Sequence, residues 1–329
     1  MSNFSLRDRV RSSGTLAEPE GIPDPRYALP GTVNWMKALA LLVQHHGVTF
    51  GNATTLYATV QKRASTIQEE NTIFEQLLFA LNQVSALGAL RATAKKSDVA
   101  RVGIVAWYYG IYTAASAMVA AQDGSFQDDH TSTANAWDRQ FAAFGPVRVM
   151  PPFSLRVSSL VESIYESEVA AMRTGPKFAL THAPSTNLEA HGACCAYLSG
   201  NAAWWKWKAE ESLKATREFK VLNVTDFRGR AARDLRDSRL QGKAVSFVHQ
   251  AFRYRGKANY RDAVFLGYGT LTEVMLTDYI DNLASVLRGF VSMAGAFCAK
   301  RIGQPLWNDF VNDLEINRSF SSSPKSIWT

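Results

Sequence analysis

Residues 102–122 read VGIVAWYYGIYTAASAMVAAQ and carry no charged side chain. A helix of this length could cross a lipid bilayer. However, Gly103, Gly110, Thr113 and Ser116 dilute its apolar character, and small residues at this density are typical of a helix that other helices contact closely. Since no second segment of equal length is evident, we expect a buried central helix and no membrane span.

Helical patterns flank this stretch on both sides. From Thr32 onward, apolar residues recur at three- and four-residue spacing, and a run from Asn71 places Phe74, Leu77 and Leu81 on one stripe. No alternation with a period of two extends beyond a few residues. The sequence therefore predicts an all-α protein, built as two packed helical bundles or as one large multi-helix domain.

Proline, glycine and serine indicate where the helical regions end. Residues 1–31 contain four prolines and predict an extended arm. Pro151 and Pro152 favour a boundary near residue 150, and the serines after residue 318 predict a flexible, disordered tail. The predicted divisions are an arm at 1–31, a helical bundle at 32–150, a second helical domain with a basic surface at 151–318 and a tail at 319–329.

Composition suggests an intracellular protein with a sizeable core. The chain has 329 residues, of which 47% are hydrophobic, enough to bury a substantial interior. Its cysteines, Cys194, Cys195 and Cys298, are odd in number and two are adjacent, so a disulfide framework is not expected. No apolar run follows the charged opening residues, so no secretory signal is expected. These features predict a reducing, cytoplasmic location.

Positive charge is concentrated in one segment, residues 214–261. It holds 13 Lys and Arg against four acidic residues, a balance of +9, whereas the whole chain is only +7. The remainder of the chain therefore sums to −2. A basic excess confined in this way fits a polyanionic partner, of which nucleic acid is the commonest.

A helix through the basic segment would present cations on one side. If residues 226–248 form one helix, Arg236, Arg239 and Lys243 fall within one arc, with Arg233 at its margin. The stretch that follows mixes cations with rings, which suits phosphates and unpaired bases. The predicted nucleic-acid-binding residues are Arg233, Arg236, Arg239, Lys243, Arg253, Tyr254, Arg255, Lys257, Tyr260 and Arg261.

The same segment allows a plainer interpretation. Asp234 and Asp237 could pair with neighbouring arginines and leave a solvated, salt-bridged helix. The basic side could equally contact an acidic protein or another part of this chain. The sequence leaves these alternatives open.

Candidate chemistry is sparse. His249 and Arg253 stand one helical turn apart and could hold a phosphate and transfer a proton, although a lone helical histidine is more often structural. His182, His191 and the two adjacent cysteines lack the spacing of familiar zinc sites. No catalytic motif is evident, so enzymatic activity stays open, and no metal or cofactor is expected.

Three tryptophans, Trp204, Trp205 and Trp207, lie just before the basic segment. Aromatic side chains of this size usually bury a large area. We expect them at a domain or subunit contact, with one ring as an alternative stacking platform for a base.

The run ARVGIVAWYYGIYTAASAM at residues 100–118, followed by a loop with His130 and a further helix, resembles the HEPN superfamily of small helical bundles. The resemblance covers about residues 70–145. It implies an all-α bundle, frequent dimerisation and the RNA-directed roles of bacterial toxin, antitoxin and phage-defence systems. Catalytic members carry an Arg followed a few residues later by a His. No histidine here follows an arginine at that spacing, so the resemblance implies a non-catalytic member.

Taken together, these patterns predict a cytoplasmic helical protein that binds nucleic acid, RNA or a single strand in particular, as a homo-oligomer or as part of a complex. The alternative is a helical interaction subunit that docks on an acidic partner protein. A metal-independent ribonuclease is the third possibility.

Overall fold

The protein is all-α, as the sequence predicts. A computed structural model describes residues 25–143, 147–259, 266 and 273–329. Within these residues it contains thirteen α-helices and no β-strand. The helices are α1 (Pro25–His45), α2 (Phe50–Leu56), α3 (Ile67–Ala92), α4 (Ala100–Asp123), α5 (His130–Trp137), α6 (Glu162–Met172), α7 (Asn187–Lys214), α8 (Arg217–Val221), α9 (Arg230–Leu240), α10 (Phe247–Asn259), α11 (Glu273–Ile302), α12 (Gln304–Asn317) and α13 (Lys325–Trp328).

Helix α4 contains the uncharged stretch and lies at the centre of the fold. It packs against α3, α10 and α11, and most of its side chains are buried. Its small residues permit this close approach: a Cβ atom on Gly110 would lie 2.5 Å from Leu287 of α11, and one on Gly103 would lie 3.0 Å from Ile280. The predicted buried central helix is therefore confirmed.

Two arginines hold the carboxyl end of α4. Arg301 donates to the carbonyl oxygens of Gln122 at 2.8 Å and Ala121 at 3.2 Å, and Arg63 donates to Ala121 at 3.2 Å. The last carbonyls of a helix lack intrahelical partners and carry partial negative charge. The guanidinium groups satisfy these carbonyls and tie the ends of α4 and α11 together.

The two long helices that flank the core, α3 and α7, begin at capping boxes. Thr66 Oγ1 accepts from the Glu69 N–H at 3.3 Å, and Glu69 accepts from the Thr66 N–H at 2.7 Å. Thr186 and Glu189 repeat this exchange at the start of α7. Reciprocal caps of this kind satisfy orphan donors and fix where a helix begins.

One hydrophobic core includes residues from both halves of the chain. Helix α11 packs against α1, α2, α3 and α4, so the predicted boundary at residue 150 does not separate two cores. A smaller cluster built from α6, α7 and α9 lies beside it and includes Tyr165, Leu198 and Leu240. Periodicity identifies the apolar side of a helix but not the helix it contacts, which is why the predicted division differs.

The described parts of the predicted arm and of the predicted tail differ from the predictions. Helix α1 begins at Pro25, so residues 25–31 of the predicted arm are helical, and the rest of the arm lies outside the described residues. Proline suits the first turn of a helix because its missing N–H has no partner there.

The predicted disordered tail is wrong for the described residues that end the chain. Trp328 is 1% exposed and its Nε1 donates to the Val291 carbonyl at 3.1 Å. Gly295 makes room for the indole, since a Cβ there would lie 2.5 Å from the ring. The serines suggested disorder, whereas burial of Ile327 and Trp328 fixes the segment.

Three helices are long and apolar enough to cross a membrane by length and composition: Ile67–Ala92, Ala100–Asp123 and Met275–Ile302. The expectation that only one such segment exists is therefore wrong. In the folded chain, 78% of the apolar window is buried in each of the last two. Many of the apolar side chains of these two helices lie in the hydrophobic core described above.

Candidate nucleic-acid interface

Residues 226–248 contain parts of two separate helices, α9 and α10, rather than one helix. Helix α9 ends at Leu240, and Gly242 follows with φ +79°, a backbone conformation that favours glycine and ends a helix. Lys243 therefore lies in the connection to α10. The predicted helix over residues 226–248 is wrong because of this turn.

The arginines of α9 do not form one continuous positive ridge. Arg236 has only 16% of its side chain exposed and pairs with Asp237 at 2.8 Å and Glu210 at 3.4 Å. The hydrogen bond that Arg236 donates to Asp237 is the main cause of a raised Arg236 pKa. Arg239 lies 3.9 Å from Glu218 with both side chains exposed, whereas Arg233 is exposed without an ion pair in the described part of the chain.

Several exposed cations of the segment have acidic neighbours, as the plainer interpretation expected. Exposed pairs of this kind contribute about 0–1 kcal/mol and are screened by salt. Their main effect is to neutralise charge that would otherwise attract a polyanion. The pairs are Lys214 with Glu211, Arg228 with Asp226, and Arg230 with Asp234.

Tyr254 cannot stack on a base in this fold, because it is fully buried. Its hydroxyl donates to the Thr32 carbonyl at 2.9 Å and lies 2.7 Å from the Tyr279 hydroxyl. Since the single Tyr254 proton is used on Thr32, Tyr279 is the donor between the two hydroxyls. Burial raises the pKa of both tyrosines. The predicted binding role of Tyr254 is therefore wrong, and its role is to join α10 to α1 and α11.

Arg253 instead joins a cluster of tryptophans on α7. Its guanidinium lies 4.7 Å from the Trp204 ring centroid, and Lys208 Nζ lies 5.2 Å from Trp204 and 5.4 Å from Trp205. Trp207 is 38% exposed and shares a helical face with Trp204 and Lys208. We call Trp204, Trp205, Trp207, Lys208 and Arg253 the tryptophan surface. The sequence pointed to the tryptophans and to Arg253 separately, but gave no sign that they meet.

A cleft of about 450 Å³ adjoins this surface. It lies between α5, α7 and the connection from α9 to α10. Side chains that line it include Asn135, Arg139, Trp205, Lys208, Lys243 and His249.

The cleft is electropositive. Arg139 and Lys243 are exposed and form no ion pair within the described ranges. The acidic residue of the lining, Asp138, is buried and accepts from Arg156 at 2.8 and 3.0 Å. Because that carboxylate is already neutralised, the charge of the lining cations is left uncompensated.

His249 lines the cleft as a neutral ring with both nitrogens occupied. Its Nδ1 accepts from the Ser246 backbone N–H at 3.3 Å, and its Nε2 lies 3.0 Å from Asn135 Oδ1. A backbone N–H can only donate, so the ring proton is on Nε2 and is donated to Asn135. Burial lowers the His249 pKa to about 4. His249 thus orients the Asn135 amide, and the predicted catalytic partner, Arg253, is engaged with Trp204 instead.

An arginine on α10, Arg255, contacts a histidine on α5, His130. Arg255 Nη1 lies 3.3 Å from His130 Nε2, and the guanidinium lies 5.1 Å from the Tyr108 ring centroid and 5.2 Å from that of Phe252. Arginine can only donate, so the His130 proton is on Nδ1, a buried atom without a partner in the described chain. Burial and, secondly, Arg255 lower the His130 pKa. The pair was missed in the sequence because 125 positions separate its members.

The remaining predicted residues add little to either group. Lys257 is half-buried and has an interaction partner, while Tyr260 and Arg261 lie outside the described residues. Within the described ranges no group of three or more His, Cys, Asp or Glu could hold a metal ion.

No family model, curated protein or solved structure matches this chain.

Proposed function

We propose that the protein binds single-stranded nucleic acid, RNA in particular, on the tryptophan surface and the cations of the adjoining cleft. The observation that carries this proposal is the position of Arg253 and Lys208 at 4.7 and 5.2 Å from the ring centroid of Trp204. The tryptophan surface thus holds aromatic rings and positively charged side chains next to one another.

This combination suits a single strand better than a duplex. Bases of a single strand are free to stack on aromatic rings, which contributes about 1–3 kcal/mol per base, while cations bind the phosphates between them. A duplex hides its bases and offers mainly phosphates. An acidic protein would supply negative charge for the cations but no flat bases to stack on the tryptophan rings. The presence of rings beside the cations therefore favours a nucleic acid as the partner.

The proposed interface differs from the one expected from sequence. Arg253 and Lys243 are retained, Trp204, Lys208 and Arg139 are added, and Tyr254 and Arg236 are removed because they are buried or paired. Arg233 and Arg239 on α9 become peripheral, contributing long-range attraction at most.

The proposal is tested by fluorescence anisotropy with labelled single-stranded RNA, single-stranded DNA and duplex DNA. The expected result is preference for single strands, with Trp204→Ala reducing affinity about tenfold and Trp204→Phe reducing it less because a ring remains. The control is Val221→Ala, an exposed apolar residue on α8, which should leave binding unchanged. The proposal would be contradicted if the protein bound none of the three nucleic acids, or if Trp204→Ala bound single strands as tightly as the unsubstituted protein.

Cleavage of RNA is a second candidate function, favoured by the contact between Arg255 and His130. A phosphodiester bound by Arg255 would draw the guanidinium away from the His130 ring and leave Nε2 able to accept the proton of a ribose 2′-hydroxyl. As the 2′-oxygen bonds to phosphorus, the bond from phosphorus to the 5′-oxygen of the next nucleotide breaks, that oxygen takes a proton from water, and a 2′,3′-cyclic phosphate remains. The lowered His130 pKa keeps the ring neutral, as a base requires. Catalytic members of the HEPN superfamily also use an Arg and a His, and membership of this chain in that superfamily stays a prediction.

Cleavage is tested with single-stranded RNA in EDTA, alongside DNA of the same sequence, which lacks the 2′-hydroxyl. His130→Asn should abolish RNA cleavage and retain binding, whereas His182→Asn, at an exposed histidine, should retain both. RNA left intact by the unsubstituted protein, or cleavage unchanged in His130→Asn, would remove this candidate.

A further inference from the structure

We propose that the cleft binds one nucleotide, with its phosphate on Arg139, Lys208 and Lys243 and its base beside Trp205. The nucleotide is either a free nucleoside monophosphate or one unstacked unit of a bound strand. Only the second form rests on the proposed function, because free nucleotide binding needs no strand.

The size of the cleft fits this ligand. Its volume of about 450 Å³ lies within the range of about 300–1,000 Å³ that is usual for small-molecule sites. An inorganic anion would leave most of this space empty, whereas a sugar and a base attached to a phosphate would occupy it.

The phosphate position follows from the charges. Lys208 comes from α7, Lys243 from the connection after α9, and Arg139 from the π-helix Asp138–Ala142 that continues α5. Three cations from three separate elements converge on one space, and the neutralised Asp138 offers no competition. A dianionic phosphate would compensate this charge with charge-assisted hydrogen bonds.

The base position follows from one ring and one donor at the cleft. Trp205 lines the cleft and offers its indole ring. His249 uses the Oδ1 atom of Asn135, which leaves the Asn135 amide Nδ2 as a donor at the cleft. Nucleobases carry carbonyl oxygens and ring nitrogens that accept such donors, and their flat faces stack on indole.

The cleft and the tryptophan surface share a residue. Lys208 lines the cleft and also holds its ammonium over Trp204 and Trp205. A strand whose bases stack at Trp204 would therefore have its neighbouring phosphate at Lys208 and its next nucleotide at the mouth of the cleft. This arrangement predicts a base preference at one position of the strand, set by Asn135.

The test is titration calorimetry of the full chain with AMP, GMP, CMP and UMP, with the matching nucleosides and with inorganic phosphate. We expect monophosphates to bind at least about tenfold more tightly than either part alone. Lys243→Ala, in an exposed connection, should weaken the binding of all four about equally and by about tenfold, and Asn135→Ala should change their order of affinity. Lys177→Ala, at an exposed lysine outside the cleft lining, should change neither.

The outcomes separate this proposal from the proposed function. If no monophosphate binds while single strands bind and require Trp204, the cleft proposal is overturned and strand binding stands. If phosphate alone binds as tightly as the monophosphates, the cleft is an anion site and the nucleotide assignment is overturned. If monophosphates bind in the expected order and no strand binds, the cleft proposal holds for the free ligand and the proposed function fails.

Discussion

Helices α4 and α9 differ in how many of their side chains the fold buries. Helix α4 buries most of its side chains against α3, α10 and α11, whereas α9 buries only Ala232 and Leu240 and presents charges to solvent. Substitutions in the first region should therefore cost stability, and substitutions in the second should change binding or nothing. The comparison also shows that charge density along a sequence is a poor guide to a binding surface, because Arg236 is neutralised by acids while Arg253 joins a tryptophan cluster.

The largest expected effect compares a buried tryptophan with an exposed one. Trp328→Ala removes a fully buried indole and its hydrogen bond to Val291, so we expect a loss of about 3–5 kcal/mol in the free energy of unfolding. Trp207→Ala, at a surface ring, should change it by less than about 0.5 kcal/mol. Urea denaturation measures both. Equal losses would show that Trp328 is not part of the core.

The next effect depends on pH and arises at His249, which lines the cleft. Burial holds the His249 pKa at about 4 against 6.5 in the unfolded chain. As the pH falls, His249 therefore takes up its proton in the unfolded chain before it does so in the folded protein. Its contribution to the free energy of unfolding is fully present above pH 6.5 and is lost as the pH drops towards 4. The loss from this residue is about 3 kcal/mol, or about 1.4 kcal/mol per pH unit.

Urea denaturation between pH 7 and 4.5 checks this loss. His249→Gln keeps a donor for Asn135 but cannot titrate, so its stability should fall less steeply than that of the unsubstituted protein. His46, His130 and His191 also have lowered pKa values and contribute to both curves, which is why the difference between slopes is the quantity to compare. Parallel curves would show that His249 is not held neutral by burial.

A smaller effect tests how tightly α4 meets its neighbours. The Cβ of Gly110→Ala would lie 2.5 Å from a Leu287 methyl carbon, whereas the Cβ of Gly88→Ala in α3 meets nothing within 4 Å. Gly110→Ala should destabilise the fold by about 1–3 kcal/mol, and Gly88→Ala should stabilise it by about 0.5–1 kcal/mol through helix propensity. Thermal unfolding would expose a loose contact between α4 and α11 if both variants behaved alike.

The sequence was sufficient for the features that depend on local pattern. The uncharged residues 102–122 correspond to α4 at Ala100–Asp123, because apolar character and small residues indicate burial without reference to any partner. The all-α class followed from helical spacing in the same way. The tail at 319–329 was wrongly predicted to be disordered because its serines are typical of loops. Its apolar residues, such as Trp328, are instead buried in the core.

The candidate sites could not be predicted because each depends on residues far apart in the chain. Tyr254 is buried by contacts with Thr32 and Tyr279, and Arg255 meets His130 across 125 positions. No spacing rule along a sequence reports such meetings. The tryptophan surface has the same character, since Arg253 reaches Trp204 from a different helix.

Charge reversal at two arginines tests the central claim most directly. Arg253 lies on the tryptophan surface, whereas Arg230 lies on α9, has 91% of its side chain exposed and pairs with Asp234 at 3.8 Å. Anisotropy titrations of single-stranded RNA at several salt concentrations should show that Arg253→Glu lowers affinity by more than about tenfold and flattens the salt dependence, while Arg230→Glu changes affinity less than about threefold. Equal losses in the two variants, or a larger loss in Arg230→Glu, would place the strand on α9 and contradict the account.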